Sequence, residues 1–596
     1  MSKPIEEYAL IGDCQTAALV ARDGSVDWLC LPRFDSPACF AALLGNEENG
    51  FYKIAPAGES RRIARRYRGN TLVLETEYTT EGGVVAVIDF MPLRDGRIDL
   101  VRIVEGRSGT VPMELEIRLR FDYGRVVPWV RRTEDGIVAI AGPDTVRLRT
   151  AVPLEGHDFT TVSRFEVRAG ERIAVDLVRY PSHEPAPPPI DAERALTETE
   201  AWWSEWAARS KYRGPQEEAV LRSLITLKAL TYEPTGAIVA APTTSLPERL
   251  GGSRNWDYRY CWIRDATFTL YALIGAGYLD EARAWREWLL RAAAGKPSQL
   301  HIMYGVSGES RIPEYELEWL GGYEGSRPVR VGNLAYRQRQ LDVYGEILDT
   351  MHQAWRSGLA PAPDAWRLEH ALVEFLEEIW AQPDEGIWEV RGPRRHFTHS
   401  KVMAWLALDR AVKGIEHFNL GGPLERWRAL RDTIHEDVCR KGYNAERGTF
   451  VQYYGSDRLD ASLLTMPLVG FLPVHDPRIR GTIEAIEREL CEDGFVARYV
   501  TSSEIDGLPP GEGHFLLCTF WLADTFVLLG RRADAERLFE KVLSIRNDVG
   551  LLSESYDLER RRLVGNFPQA FSHIGLINTA FNLAVPHGPS QERSTA

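Results

Sequence analysis

Pro181-Ser182-His183-Glu184-Pro185-Ala186-Pro187-Pro188-Pro189 separates two kinds of sequence. Proline fixes φ and removes a backbone donor, so a run this rich in it is a stiff connector rather than part of a helix or central strand. Before it, Thr71-Leu72-Val73-Leu74-Glu75-Thr76-Glu77-Tyr78, Val84 to Phe90, Leu115 to Phe121, Ile137 to Ile140 and Arg172 to Val178 alternate or run in β-branched residues between Gly and Asp-Gly turns. That texture predicts an antiparallel β-sandwich. After it the apolar period becomes helical. Helices are expected over 193–209, 215–230, 264–276, 280–294, 333–356, 363–380, 400–413, 423–439, 460–469, 479–490, 513–529, 532–544 and 568–583. With no strand pattern between them, this part is all-α. The division is therefore 1–182 sandwich, 183–192 linker, 193–585 helical domain and 586–596 a polar, flexible tail.

Length and composition agree. A chain of 596 residues exceeds one hydrophobic core, and 44% apolar with 26% charged residues is ordinary for a globular protein. The net charge of −14 argues against a nucleic-acid partner, which demands a cationic face. The acidic start, Met1-Ser2-Lys3-Pro4-Ile5-Glu6-Glu7, has no apolar signal core. Phe515 to Gly530, interrupted by Asp524, is short for a membrane span and reads as a buried helix. Cys14, Cys30, Cys39, Cys261, Cys439, Cys491 and Cys518 form no CxxC pair and read as reduced packing residues. A cytoplasmic address is expected, with no membrane partner; a homo-oligomer is left open by the sequence.

Six connections are long and rich in Trp, Tyr, Glu, Asp and Arg: 233–263, 295–332, 381–399, 440–459, 491–512 and 545–567. They precede every second helix. If helices alternate between inner and outer layers, all six open at one end, where a site is expected. The first contains Asn255-Trp256-Asp257-Tyr258-Arg259-Tyr260-Cys261-Trp262-Ile263-Arg264-Asp265. Aromatic faces stack on sugar C–H groups while charged side chains bind hydroxyls, so the stretch suits a sugar; an aromatic core with a buried Asp–Arg pair accounts for it equally. Glycoside hydrolysis needs two carboxyl groups on one rim, and Glu389, beside Ile387-Trp388, and Glu554, in Leu551-Leu552-Ser553-Glu554-Ser555-Tyr556-Asp557, are candidates for the pair; taken singly, each is better read as a surface salt bridge or helix cap. His396 and His399 lack an evident third ligand, so no metal is expected. No GxSxG, P-loop or GxGxxG motif supports acyl transfer or nucleotide chemistry.

In these loops the chain resembles glycoside hydrolase family 15, which holds glucoamylases, glucodextranases and prokaryotic α,α-trehalases. Trp262-Ile263-Arg264-Asp265 is similar to the family's glucose-holding motif. Gly386-Ile387-Trp388-Glu389 resembles the general-acid segment, and Leu552-Ser553-Glu554-Ser555-Tyr556-Asp557 the general-base segment, with Ser555 where many relatives carry Gln. Ala497-Arg498-Tyr499 resembles another glucose contact, and Gly325 to Asn333, with Arg327 and Arg330, the loop lining the outer pocket. The resemblance implies a β-supersandwich followed by an (α/α)6 barrel, inversion, and no cofactor. Glu389 would be the acid and Glu554 the base, with carboxyl groups about 6.5–9.5 Å apart. Tyr258, Trp262, Arg264, Asp265, Trp388, Arg498, Tyr499, Arg327 and Arg330 would bind substrate. The opening Tyr8-Ala9-Leu10-Ile11-Gly12-Asp13 and the overall length look most like the trehalase-type members. Trehalose is the expected substrate, with malto- and isomalto-sugars or dextran as alternatives. A disaccharide phosphorylase is disfavoured by Glu554. A non-catalytic sugar-binding protein would require one of the two glutamates to face away from the cleft.

Overall fold

The computed structural model describes residues 2–293, 295–584 and 588–595. Residues 2–181 form a sheet system in which every strand pairing is antiparallel, with short helical turns at Ile5–Glu7, Ala42–Leu44 and Glu47–Asn49. Its organiser is the strand Ile98–Arg118. The N-terminal half pairs with Arg172–Pro181 and Gly83–Phe90, and the C-terminal half with Phe51–Pro56 and Thr160–Arg168. Exposed residues cluster near its middle, Arg107 to Thr110, while both ends are mainly buried. The strand therefore passes from one half of the sheet system to the other, and alternate side chains on each half enter the core. The proline segment is strapped down: Arg97 Nη1 donates to Pro188 O at 2.8 Å, and Arg149 donates to Pro187 O.

From Ala192 onward helices dominate. Ile263–Gly275 packs on Asp342–Arg356, which packs on Thr398–Phe418. The short helical segments Ala461–Leu464 and Thr465–Leu468 link that helix to Leu516–Leu528, which packs on Ala570–Ala584, which returns to Ile263–Gly275. Outside this circuit lie Glu217–Ala229, Leu279–Ala292, Pro363–Ile379, Leu424–Lys441, Pro477–Glu489 and Arg532–Leu543. Burial follows the division: Thr398–Phe418 is buried over nearly its whole length, whereas Leu424–Lys441 buries only four residues. Leu516–Leu528 is the apolar helix expected from Phe515 to Gly530; its Asp524 accepts from Asn582 Nδ2 at 2.8 Å. No helix among the described residues is long and apolar enough to cross a membrane.

Three expectations differ. The helix expected over 333–356 starts at Asp342; Asn333 caps a separate short turn, Leu334–Arg337, and the intervening chain bends toward the site. A helix over 460–469 is broken into two short segments. The tail read as flexible contains a helix, Pro589–Thr595, anchored because Arg593 Nε donates to buried Asp349 at 2.5 Å; 586, 587 and 596 lie outside the described residues.

Candidate active site

A cavity opens at one end of the helical domain. The loops 233–263, 381–399 and 491–512 supply most of its wall. The loops 295–332, 440–459 and 545–567, also expected at this end, contribute no lining residue; 440–459 acts from behind, where Gln452 Nε2 donates to Asp460, and Asp460 accepts from Trp388 Nε1 at 2.9 Å. None of the lining residues comes from the sheet domain. That domain instead fastens the aromatic loop, since Trp28 Nε1 donates to Pro242 O at 2.8 Å and Arg259 donates to Ser36 O and Tyr123 Oη.

The aromatic stretch proves to be both things at once. Asp257 and Arg259 form a fully buried ion pair at 2.7 Å, facing the sheet domain. Tyr258, Trp262, Arg264 and Asp265 line the cavity. Two short strands set this alternation: Asn255–Asp257 pairs with Thr244–Pro247, and Cys261–Trp262 with Met303–Tyr304. Successive side chains then point to opposite sides.

Glu389 and Glu554 are each held by one ring of a touching pair. Trp262 Nε1 donates to Glu389 Oε1 at 2.7 Å, and Tyr258 Oη donates to Glu554 Oε1 at 2.6 Å. The Tyr258 and Trp262 rings meet edge to face, 5.4 Å between centroids. Arg264 Nη2 adds a second donor to Glu389 at 3.3 Å, and Arg264 Nη1 donates to the Ile387 carbonyl. Glu389 has φ +57, a left-handed conformation rare for a residue with a side chain, and the loop is held in it by Gln338 Nε2, which donates to the Glu389 and Val390 carbonyls.

Glu554 is 1% exposed and does not itself line the cavity; it lies immediately behind Tyr258. Its Oε2 accepts from the Asn566 amide at 3.2 Å. Gly565, at φ +79, lets the chain pass close by: a Cβ there would sit 2.4 Å from Glu554 Oε2. Burial, and next the Glu248 carboxylate, push Glu554 up to about 8, against Arg498 and the Tyr258 hydrogen bond. Asp265 is pushed up to about 6 by burial, against the pull of Arg264.

Of the other expected binding residues, Trp388, Arg498 and Tyr499 line the cavity. Arg498 Nη2 donates to Glu248 Oε2 at 2.8 Å and Nε to Glu512 Oε1 at 3.0 Å, with its guanidinium 5.5 Å from the Trp388 ring. Two expectations are corrected. Arg327 is exposed and outside the cavity, its Nε directed to Gly321 O. Arg330 is buried behind Trp256, 4.6 Å from the ring, donating to the Ser253 and Asn255 carbonyls. The main-chain bonds that seat Gly325 to Asn333 turn both away. His396 stacks on Tyr454, whereas His399 is buried in the first turn of its helix, so the two do not converge.

Sequence reasoning did not select Glu248, Arg254, Trp256, Arg391, Asp506 or Phe571, all of which line the cavity. Trp256 and Arg391 stand within stretches already singled out. Glu248, in Ser245-Leu246-Pro247-Glu248, and Asp506 carry no local signal.

A family model, glycosyl hydrolases family 15, matches residues 214–581, and a trehalase-like N-terminal model matches residues 1–169. A trehalase of Mycobacterium tuberculosis is 39% identical over 97% of this chain and 89% of its own. A trehalase of Thermoplasma volcanium is 35% identical over 97% of this chain and 93% of its own. A bacterial glucoamylase crystallised with acarbose shares the fold at a TM-score of 0.73 and 13% identity, covering 100% of this chain and 97% of that one.

Proposed function

This chain belongs to glycosyl hydrolases family 15 and is a glycoside hydrolase, and we propose that it is an inverting, exo-acting α-glucosidase whose substrate is α,α-trehalose. The observation that carries the mechanism is the pair of glutamates held by the two touching rings of Tyr258 and Trp262. Glu389 is the general acid, protonating the leaving oxygen. Glu554 is the general base, deprotonating the attacking water on the other side of the sugar. The two rings hold the carboxyl groups apart instead of in contact, the arrangement that inversion demands. Trp262, Arg264, Asp265 and Trp388 hold the glucose being cleaved, while Arg498 and Tyr499 complete its wall. The circuit of six packed helical segments with six outside supports an (α/α)6 barrel, and the strand shared between sheet halves supports a β-supersandwich over 1–182. Trehalose is favoured because the trehalases matched are 35–39% identical over 97% of this chain and a trehalase-like model matches the sheet domain.

Attack at one anomeric carbon of trehalose inverts that carbon only. The first products are therefore one β-glucose and one α-glucose in equal amounts, seen by NMR before mutarotation, with slower turnover of maltose and isomaltose. Two α-glucose molecules would overturn inversion; faster hydrolysis of maltose or isomaltose would overturn the substrate.

A second reading is favoured by one observation: Glu248 lines the cavity, whereas Glu554 lies behind Tyr258. It makes Glu248 the base, and pH dependence separates the two. If Glu554 is the base, activity rises with pH as Glu554 ionises, and Glu248 raises that pKa by like-charge repulsion. Glu248→Gln removes the charge, so the acidic limb of the kcat/KM profile moves to lower pH by about one unit. Loss of turnover in Glu248→Gln with Glu554→Gln still active would exchange their roles.

A further inference from the structure

The bent chain between Asn333 and Asp342, which departs from the expected helix, runs along the loop that carries Glu389. Three sets of hydrogen bonds join the two. The Leu341 amide donates to buried Asp384 Oδ2 at 3.0 Å. Arg339 and Glu385 bond reciprocally: the Arg339 amide donates to Glu385 Oε2 at 2.9 Å, and the Glu385 amide to Arg339 O at 3.1 Å. Gln338 Nε2 reaches the far end of the loop and donates to the Glu389 and Val390 carbonyls, each at 3.2 Å. The first two sets tie down the base of the loop. The third acts on the residue whose carboxyl does the chemistry.

Two features show what that third contact controls. First, the Gln338 amide is oriented. Its Oε1 accepts from Gln340 Nε2 at 3.0 Å, and Gln340 is itself buried, so the donating end is the one turned to the loop. Second, the left-handed backbone of Glu389, φ +57, costs a residue with a side chain about 1–2 kcal/mol and persists only where the surroundings impose it. A residue's ψ sets the direction of its carbonyl relative to its own Cβ. A donor fixed on Glu389 O therefore also fixes where the side chain leaves the backbone, and the bond to Val390 O keeps the following peptide from turning. Gln338 does not line the cavity, so it acts on Glu389 without touching a sugar.

We infer that Gln338 is a positioning residue for the general acid, holding residue 389 in the conformation that delivers its carboxyl to Trp262 Nε1 and Arg264 Nη2. This rests on the reading of Glu389 as the acid. A reacting group misplaced by about 1 Å costs on the order of 10²-fold, and a positioned acid contributes about 10²- to 10⁴-fold. Loss of the Gln338 contacts thus removes much of what the acid supplies and leaves the base and the sugar-holding residues in place.

The test compares trehalose, whose leaving oxygen must be protonated, with α-glucosyl fluoride, whose leaving group departs without a proton. Gln338→Met keeps the length of the side chain and removes its donor. In this variant kcat on trehalose is expected to fall about 10- to 100-fold with KM nearly unchanged, and the ratio of kcat/KM for trehalose to that for the fluoride to fall about 10-fold or more. Gln340→Met, which frees Gln338 Oε1, is expected to lower the same ratio by a smaller factor, and it replaces Gln338→Met if that variant does not fold. A merely structural role lowers the two rates together; that result, or an unchanged ratio, would overturn the assignment. Glu389→Gln measured alongside separates the premise. If it lowers the ratio and Gln338→Met does not, the assignment alone fails; if it slows both substrates equally, the acid role and the assignment fall together. Should maltose or isomaltose be hydrolysed faster, that sugar takes the place of trehalose in the ratio.

Discussion

Glu554→Gln is expected to lower kcat on trehalose by about 10²- to 10⁴-fold, the range that a positioned general base supplies. The substitution preserves size, which matters because Gly565 packs directly against this side chain. It also leaves a group able to meet Tyr258 Oη and the Asn566 amide, so the fold is retained and chemistry alone is removed. Glu389→Gln should cost trehalose hydrolysis a similar factor, for a different reason. Trehalose expels an alkoxide-like oxygen that must be protonated, whereas fluoride departs without a proton. Glu389→Gln should therefore spare α-glucosyl fluoride relative to trehalose, while Glu554→Gln loses both. Steady-state kinetics of both variants on both substrates checks this. Equal losses on the two substrates for Glu389→Gln would remove it from the acid role.

The largest effect on stability is expected far from the cavity, at Asp349. This carboxylate accepts from Arg410 Nε at 2.7 Å and from Arg593 Nε at 2.5 Å, and it is the anchor of the C-terminal helix. Asp349, Arg410 and Arg593 are all buried. Removing the carboxylate that both cations share leaves Arg410 its pair with Asp409 and, among the described residues, Arg593 only Glu346 at 3.9 Å, so Asp349→Ala is expected to cost about 3–5 kcal/mol. Although burial raises the Asp349 pKa, the two guanidinium groups outweigh it and hold the carboxyl well below the usual carboxylate range. A depressed folded-state pKa contributes stability that is present above the unfolded value, about 3.9, and is lost as pH falls through the folded value. The deficit of Asp349→Ala should thus be full at neutral pH and narrow only in strong acid. Urea unfolding followed at pH 7 and pH 4 measures it; wild-type stability in the variant at pH 7 would refute the account.

Much of this protein was legible in residue order. The change from period-two to helical patterning around Pro181 marks the passage from sheet to helices, because each period states which side chains must face a core. Trp262-Ile263-Arg264-Asp265 and Glu389 also stood out, since aromatic and charged residues crowd short loops there. The tail misled because Pro586 to Ala596 is polar and lacks an apolar face; its anchor is one arginine whose acceptor is 244 positions earlier. Arg327 and Arg330 misled in the opposite way, as loop cations whose backbone directs them outside or behind the cavity.

Sequence alone determined the fold class, the aromatic loop and the two glutamates that family resemblance singled out. Only the tertiary structure decided which face of that loop meets the cavity, what shifts Glu554, and which charged residues from other loops join it in the cavity wall. Glu248 meets Arg498 across 250 positions, and Asp506 meets Arg254 across 252. Periodicity and turn residues act between near neighbours and leave a local mark; charge pairing between loops from distant parts of the chain leaves none until the fold brings those loops together.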